Sequence, residues 1–136
     1  LGATHLINRT KQDVYQETRS ITNRRGVDVV FEHTGQATWP TSVRVLRWGG
    51  TIVVCGATTG HEAMTDLRFL WNKQMNFYGS HMANKAELLQ ALEFVSEGEI
   101  KPLIYRVLSL KEVAQGQEMM EHNEVIGKIV YVPEGV

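Results

Sequence analysis

The chain of 136 residues contains a single cysteine and no apolar run near the ~20 residues that a bilayer-spanning helix needs. The lone Cys55 excludes an internal disulfide framework and suits a reducing compartment, so a cytoplasmic protein is expected. The first residues lack the apolar stretch of a signal peptide, and no membrane partner is expected. Clustered positive charge is also scarce. Fourteen Lys and Arg stand against 15 Asp and Glu, and the longest basic cluster is the pair Arg24-Arg25, so nothing follows a nucleic-acid backbone. Residues 1–60 hold seven basic against four acidic residues and 61–136 hold seven against eleven, an asymmetry too diffuse to name a partner. Internal repeats, linkers and low-complexity tracts are absent. With 43% apolar and 21% charged residues the composition is that of an ordinary globular domain, and the length suits one domain.

What is present is an alternation of strands and helices. Leu1-Gly2 reads as the end of a helix with its capping glycine, and His5 to Asn8 as a short strand. Thr10 and Asp13 have capping-box spacing, and Val14, Thr18 and Ile21 recur at helical intervals, which predicts a helix from Lys11 to Asn23. Val27 to Phe31 has the β-branched and aromatic content of a strand buried on both faces. A helix opened by Trp39-Pro40 and stopped by Gly49-Gly50 leads to a second such strand, Thr51 to Cys55. Asp66 can cap a short helix carrying Leu67, Leu70 and Trp71, and a third strand spans Met75 to Ser80.

Asn84 with Glu87 opens the clearest helix, striped by Leu88, Leu92 and Val95 and ended by Gly98. A strand at Leu103 to Leu108, a capping box from Ser109 to Glu112, a helix bearing Val113, Gln117 and Met120, and a last strand Lys128 to Val132 complete the chain. The Leu88/Leu92/Val95 stripe and Met119-Met120 read as core, and each of Trp39, Trp48 and Trp71 needs only one apolar wall.

Strands alternating with helices of 10 to 15 residues indicate βαβ units, hence an α/β fold with a mostly parallel sheet and helices on both faces. Ligands of such sheets bind beyond the carboxyl ends of the strands. Here those ends carry glycine and small residues: His33-Thr34-Gly35, Cys55-Gly56-Ala57 and Gly79-Ser80-His81. Such residues permit close backbone approach by a ligand, or simply make the turns that any parallel sheet requires. His33, Cys55 and His81 would share one rim, where a zinc site or a thiol nucleophile is conceivable. No CxxC or HxxxH spacing supports either, so no metal or catalytic residue is assigned.

The segments LGATHLIN, GVDVVFEHTG, LRWGGTIVVCGATTG, YGSHMANKAEL and GKIVYVP, in this order, resemble the cofactor-binding domain of the medium-chain dehydrogenase/reductase superfamily, the zinc-type alcohol dehydrogenase and quinone oxidoreductase group. The resemblance runs from Leu1 to Pro133. It implies a Rossmann-like domain preceded in the family by a catalytic domain, a first strand, a glycine-rich turn and a second strand. The chain contains no GxGxxG fingerprint, no pair of metal-binding Cys and His residues and no acidic residue placed for an adenosine ribose. It is therefore expected to be a truncated, C-terminal part of the cofactor domain, inactive by itself, with residues 103–136 returning toward a catalytic domain that also holds any zinc.

The resemblance implies NAD or NADP as cofactor. His33, Thr34 and Gly35 would flank its adenosine half, Cys55, Gly56 and Ala57 would lie under the nicotinamide ribose, and Gly79, Ser80 and His81 would offer backbone groups to the carboxamide. Arg9 would pair with a 2'-phosphate or be a solvated surface arginine; Lys128 would reach a phosphate or protect an exposed strand. The complete enzyme would transfer hydride between nicotinamide and a carbonyl, alcohol or activated double bond of a small-molecule substrate. A homo-oligomer is expected, formed through the strand at 75–80 or through an exposed sheet edge.

In the Rossmann strand order His5 to Asn8 would be separated from Val27 to Phe31 by two strands. The expectation is that the gap closes with His5 to Asn8 pairing beside Val29, or that another chain fills it. The competing function is a non-catalytic Rossmann-like module for association or ligand binding. A methyltransferase would need its own glycine-rich first strand, and none is present.

Overall fold

The computed structural model describes residues 2–135. The chain forms two compact units, Leu1–Met82 and Ala83–Val136. The first contains α1 (Val14–Ile21), β1 (Val27–Glu32), α2 (Trp39–Val45), β2 (Leu46–Val54), α3 (Leu67–Asn72) and β3 (Asn76–Gly79). Its strands make one sheet in the order β1-β2-β3, parallel throughout.

Register explains how this unit packs. Val30, Ile52 and Phe77 are partners across the sheet, as are Phe31, Val53 and Tyr78 one residue further on. Because side chains alternate along a strand, the two rows lie on opposite faces. The first row joins the core, in which Val43, Leu46, Ile52 and Met75 are buried and Trp39, Phe69 and Leu70 pack around them. Trp39 sets its ring edge-on to Phe77 at 5.3 Å and donates its indole N–H to the Thr65 hydroxyl at 2.7 Å, satisfying its one polar atom. The second row is largely uncovered: Phe31 and Tyr78 are 68% and 60% exposed, as is Val29 on the same face at 58%, and only Val53 in the middle strand is half-buried. The expectation of strands buried on both faces is corrected here, since helices cover only the Ile52 side within this unit.

Several boundaries also shift. His5 to Asn8 forms no strand and does not pair beside Val29. A strand requires a partner for its backbone, and here Asn8 instead builds a turn, its carbonyl accepting from Lys11 and Gln12 and its side chain from Thr10. The helix starts at Val14 because Asp13 is itself the N-cap, accepting from the Gln16 amide at 2.9 Å. Gly49-Gly50 does not end a helix: α2 stops at Val45, and the glycines lie within β2, where the register with β1 shifts from Val27↔Leu46 to Val29↔Thr51. A side chain at Gly50 would come within 2.9 Å of the buried Leu46, so glycine suits that irregularity.

The second unit contains α4 (Lys85–Ser96), β4 (Ile104–Ser109), a 3-10 turn (Leu110–Glu112), α5 (Val113–Glu121) and β5 (Lys128–Val132), with β4 and β5 parallel. Of the three expected capping boxes, Asn84 with Glu87 and Ser109 with Glu112 form, whereas Thr10 with Asp13 does not, because Asp13 is itself the N-cap of α1. Leu108 and Met119 are buried, as is Gly116, where an added Cβ would collide with the Tyr131 hydroxyl. The expected core stripe of α4 is corrected, because Leu88 and Leu92 are about half exposed, and Met120 is exposed too. Helical periodicity identifies an apolar face without supplying the surface that covers it.

Candidate functional site at the carboxyl ends of the strands

Because β1, β2 and β3 are parallel, their carboxyl ends lie along one rim. His33-Thr34-Gly35 follows β1, Cys55-Gly56-Ala57 follows β2, and Gly79 ends β3 before Ser80-His81. The structure thus brings together nine of the eleven expected cofactor residues. Arg9 lies elsewhere in the same unit, lining a 500 Å³ cavity with Ile7, Val30, Thr38 and Thr41. Lys128 begins β5 in the second unit, exposed, with its amide donated to the Leu103 carbonyl at 2.9 Å.

Two loops lock together to make the first part of the rim. Thr59 donates its amide to the Thr34 carbonyl at 2.8 Å and its hydroxyl to the same carbonyl at 2.7 Å, while Gln36 donates back to the Gly60 carbonyl at 3.0 Å. Contact is close enough that a Cβ at Gly35, where φ is +90°, would fall 2.5 Å from the Gly60 oxygen. Glycine is required there by both conformation and space. Beside this junction a cleft of 210 Å³ is lined by residues that include Gly35, Trp39, Gly56, Ala57 and His61. Gly79 differs, since a Cβ there would meet nothing within 4 Å. Its surroundings are open.

The backbone donors along the rim divide into spent and free. Cys55 donates to the Glu32 carbonyl at 3.0 Å and Ser80 to the Val54 carbonyl at 2.8 Å, continuing the sheet. The Thr34 and Gly35 amides are taken by the Glu32 carboxylate at 2.8 and 3.0 Å. Among the described residues no acceptor meets the amides of His33, Gly56, Ala57 or His81. These four can serve a ligand.

Glu32 is the residue that sequence reasoning passed over. The last residue of β1, it is only 3% exposed, and its carboxylate gathers the Thr34 and Gly35 amides, the Thr38 hydroxyl at 2.8 Å and, on the other oxygen, the Ser42 hydroxyl. Burial pushes its carboxyl upward, but the donors from Ser42, Gly35, Thr38 and Thr34 outweigh this and hold it below the usual carboxylate range. Glu32 also lies by the first turn of α2, where Thr38 makes no side-chain cap and a negative charge complements the helix dipole. It fixes the β1–α2 turn and so the first third of the rim. The available signal was an acidic residue closing a Val-rich strand just before Thr and Gly.

His33 and His81 are exposed, as is the Cys55 thiol. Among the described residues no three His, Cys, Asp or Glu side chains lie close enough together to hold a metal ion. No helix among them is long and apolar enough to cross a membrane.

The zinc-binding dehydrogenase family description matches residues 1–130. A crotonyl-CoA reductase of Streptomyces collinus is 37% identical over 82% of this chain, which covers 25% of that protein, and the sorbitol dehydrogenase of Bacillus subtilis is 31% identical over 96%, covering 38%. Among solved structures, an NAD-dependent alcohol dehydrogenase superposes with a TM-score of 0.85 at 35% identity over 96% of this chain and 38% of its own. The 2-octenoyl-CoA carboxylase reductase CinF, in complex with NADP and 2-octenoyl-CoA, does so with a TM-score of 0.77 at 32% identity over 88% and 28%. The chain thus spans well under half the length of these relatives. With a parallel α/β sheet, glycine-rich strand ends and a family match over nearly its whole length, it belongs to the zinc-binding dehydrogenases of the medium-chain dehydrogenase/reductase superfamily, corresponding to the C-terminal part of their cofactor-binding domain.

Proposed function

We propose that this chain is the cofactor-binding portion of an NAD(P)-dependent oxidoreductase of the alcohol dehydrogenase and quinone oxidoreductase type. The observation that carries the reading is the convergence of three parallel strand ends on one rim with the amides of His33, Gly56, Ala57 and His81 free and the space beside Gly79 open. The residues fit a ligand that lies against backbone. When bound, the nicotinamide would supply hydride chemistry with a carbonyl, alcohol or enone. The chain's own part is to bind and orient. Glu32 holds the 33–35 turn, Gly56 and Ala57 donate beneath the cofactor, and Gly79 leaves room for it beside the His81 amide. Ser80 takes part through groups other than its amide, which the sheet consumes.

Arg9 is proposed to meet the 2'-phosphate of NADP and Lys128 another phosphate of the cofactor. Turnover requires substrate-polarising groups outside this chain, including zinc where the complete enzyme uses it. The outer edge of β3 is proposed to pair with a second copy, a state that light scattering reads directly.

Amide NMR of the chain during titration with NADPH and NADH tests the reading. Shift changes are expected at residues 33–35, 55–57 and 79–81, with affinity on the order of 1 mM in the absence of a glycine-rich phosphate turn. NADPH is expected to bind more tightly than NADH, and Arg9→Gln to erase the difference. Changes at none of the three strand ends would overturn the proposal in favour of an association module.

A further inference from the structure

At the opposite, amino end of the first sheet a cavity of 350 Å³ is lined by five cations, Arg19, Arg24, Arg25, Arg44 and Lys73, together with aromatic side chains. Arg25 pairs in bidentate fashion with Asp28 at 3.0 and 2.7 Å, and the same carboxylate also receives Arg47. The other four lining cations meet no carboxylate within 4.0 Å among the described residues. Their local compensation is the carbonyl ends of helices. Arg19 lies in the last turn of α1 and Arg44 in that of α2, and Lys73 caps α3 while donating to the carbonyls of Arg44 and Leu46 at 3.3 and 3.0 Å. Each helix end supplies at most roughly half a negative charge. Three such ends leave roughly two and a half positive charges of these four uncompensated.

The cations are also held in place. Arg19 donates to the Tyr15 hydroxyl at 3.1 Å, and Arg44 stacks on the Tyr15 ring, 4.1 Å from its centroid. Asn23 and Arg24 take successive left-handed conformations, φ +49° and +65°, in a tight turn closed by the Arg24 amide on the Arg19 carbonyl. A non-glycine pair in that region persists against a steric cost. Burial, with Arg19 and Arg44 nearby, pushes the Lys73 ammonium downward despite the favourable Tyr15 hydroxyl. An anion in the cavity would relieve that pressure.

We propose that this cavity binds a small multivalent phosphate, a diphosphate group above all. Guanidinium forks match phosphate oxygens in bidentate fashion, and Lys73 adds a point charge from the wall. The site lies at the other end of the strands from the rim that faces the cofactor, and it stands whether or not the cofactor reading does.

Calorimetric titration of the chain with inorganic pyrophosphate at constant ionic strength tests it. One saturable site is expected, with a dissociation constant on the order of 0.1 mM. Arg44→Gln and Arg24→Gln should each weaken it about tenfold or more, whereas Lys101→Gln in the second unit should leave it unchanged. Arg24 is exposed on a turn and outside the core, so its variant remains informative if Arg44→Gln fails to fold. No saturable heat up to about 10 mM, unaltered affinity in Arg24→Gln, or citrate binding as tightly as pyrophosphate would overturn the proposal.

Discussion

Along β1 to β3 the register sets Val30, Ile52 and Phe77 on one face and Phe31, Val53 and Tyr78 on the other, so two rows of similar apolar content lie back to back. Ile52 has no exposed surface, whereas Phe31 is 68% exposed. Nothing in the local sequence Val-Asp-Val-Val-Phe distinguishes the two faces. The difference comes from α2, whose Val43 joins the Ile52 face, and from the lack of any helix over the other within this unit. A side chain's hydrophobicity states a preference for burial; only a packed neighbour turns it into stabilisation.

That contrast can be broken at its strongest point. Ile52→Ala should destabilise the first unit by about 2–5 kcal/mol, since it opens a cavity in close-packed surroundings, and urea denaturation will read it. The next effect is Glu32→Gln, expected to cost roughly 2–3 kcal/mol because an amide cannot accept from all four donors. Here pH supplies a second readout. The Glu32 carboxyl is lower in the folded protein than in the unfolded chain, so its contribution is fully present above the unfolded carboxyl range near ~4.3 and is lost as pH falls through the folded value. Acid unfolding should therefore be less steep in the glutamine variant. A variant with the parent's stability and pH profile would show that Glu32 does not hold the turn.

A smaller contrast separates two rim glycines. Gly35→Ala should cost roughly 1–3 kcal/mol through clash with the Gly60 and Ala57 backbone, whereas Gly79→Ala should leave the melting curve within about 0.5 kcal/mol of the parent while weakening NADPH binding. Equal stability losses in both would mean that the space beside Gly79 is filled in solution. The smallest effect is expected on the uncovered face, where Phe31→Thr should change stability by less than about 0.5 kcal/mol. A loss like that of Ile52→Ala would mean that the face is covered in solution, and analytical ultracentrifugation of the same samples would tell whether by a second copy.

Much of the candidate site is legible in the sequence because its placement rests on local rules. Glycine and small residues after β-branched runs mark strand ends, and parallel connectivity places those ends on one rim, so residues 33–35, 55–57 and 79–81 group together from the sequence alone. The capping boxes at Asn84 and Ser109 were equally local, each a pair of hydrogen bonds between residues three apart. Glu32 was less visible, because its four partners acquire meaning only once α2 folds back over the end of β1. Which rim amides are free depends in part on hydrogen bonds between segments more than twenty residues apart, as with Cys55 on Glu32 and Ser80 on Val54.

The sequence by itself determined the α/β alternation, most helix caps, the parallel strands and the family, since these follow from periodicity, turn chemistry and the order of motifs. The tertiary structure decided that His5 to Asn8 is not a strand, that one sheet face is largely uncovered, that β2 begins at Leu46 and that four arginines and a lysine meet in one cavity. Those outcomes depend on which surfaces and charges come together across the chain, and spacing along it carries no record of that.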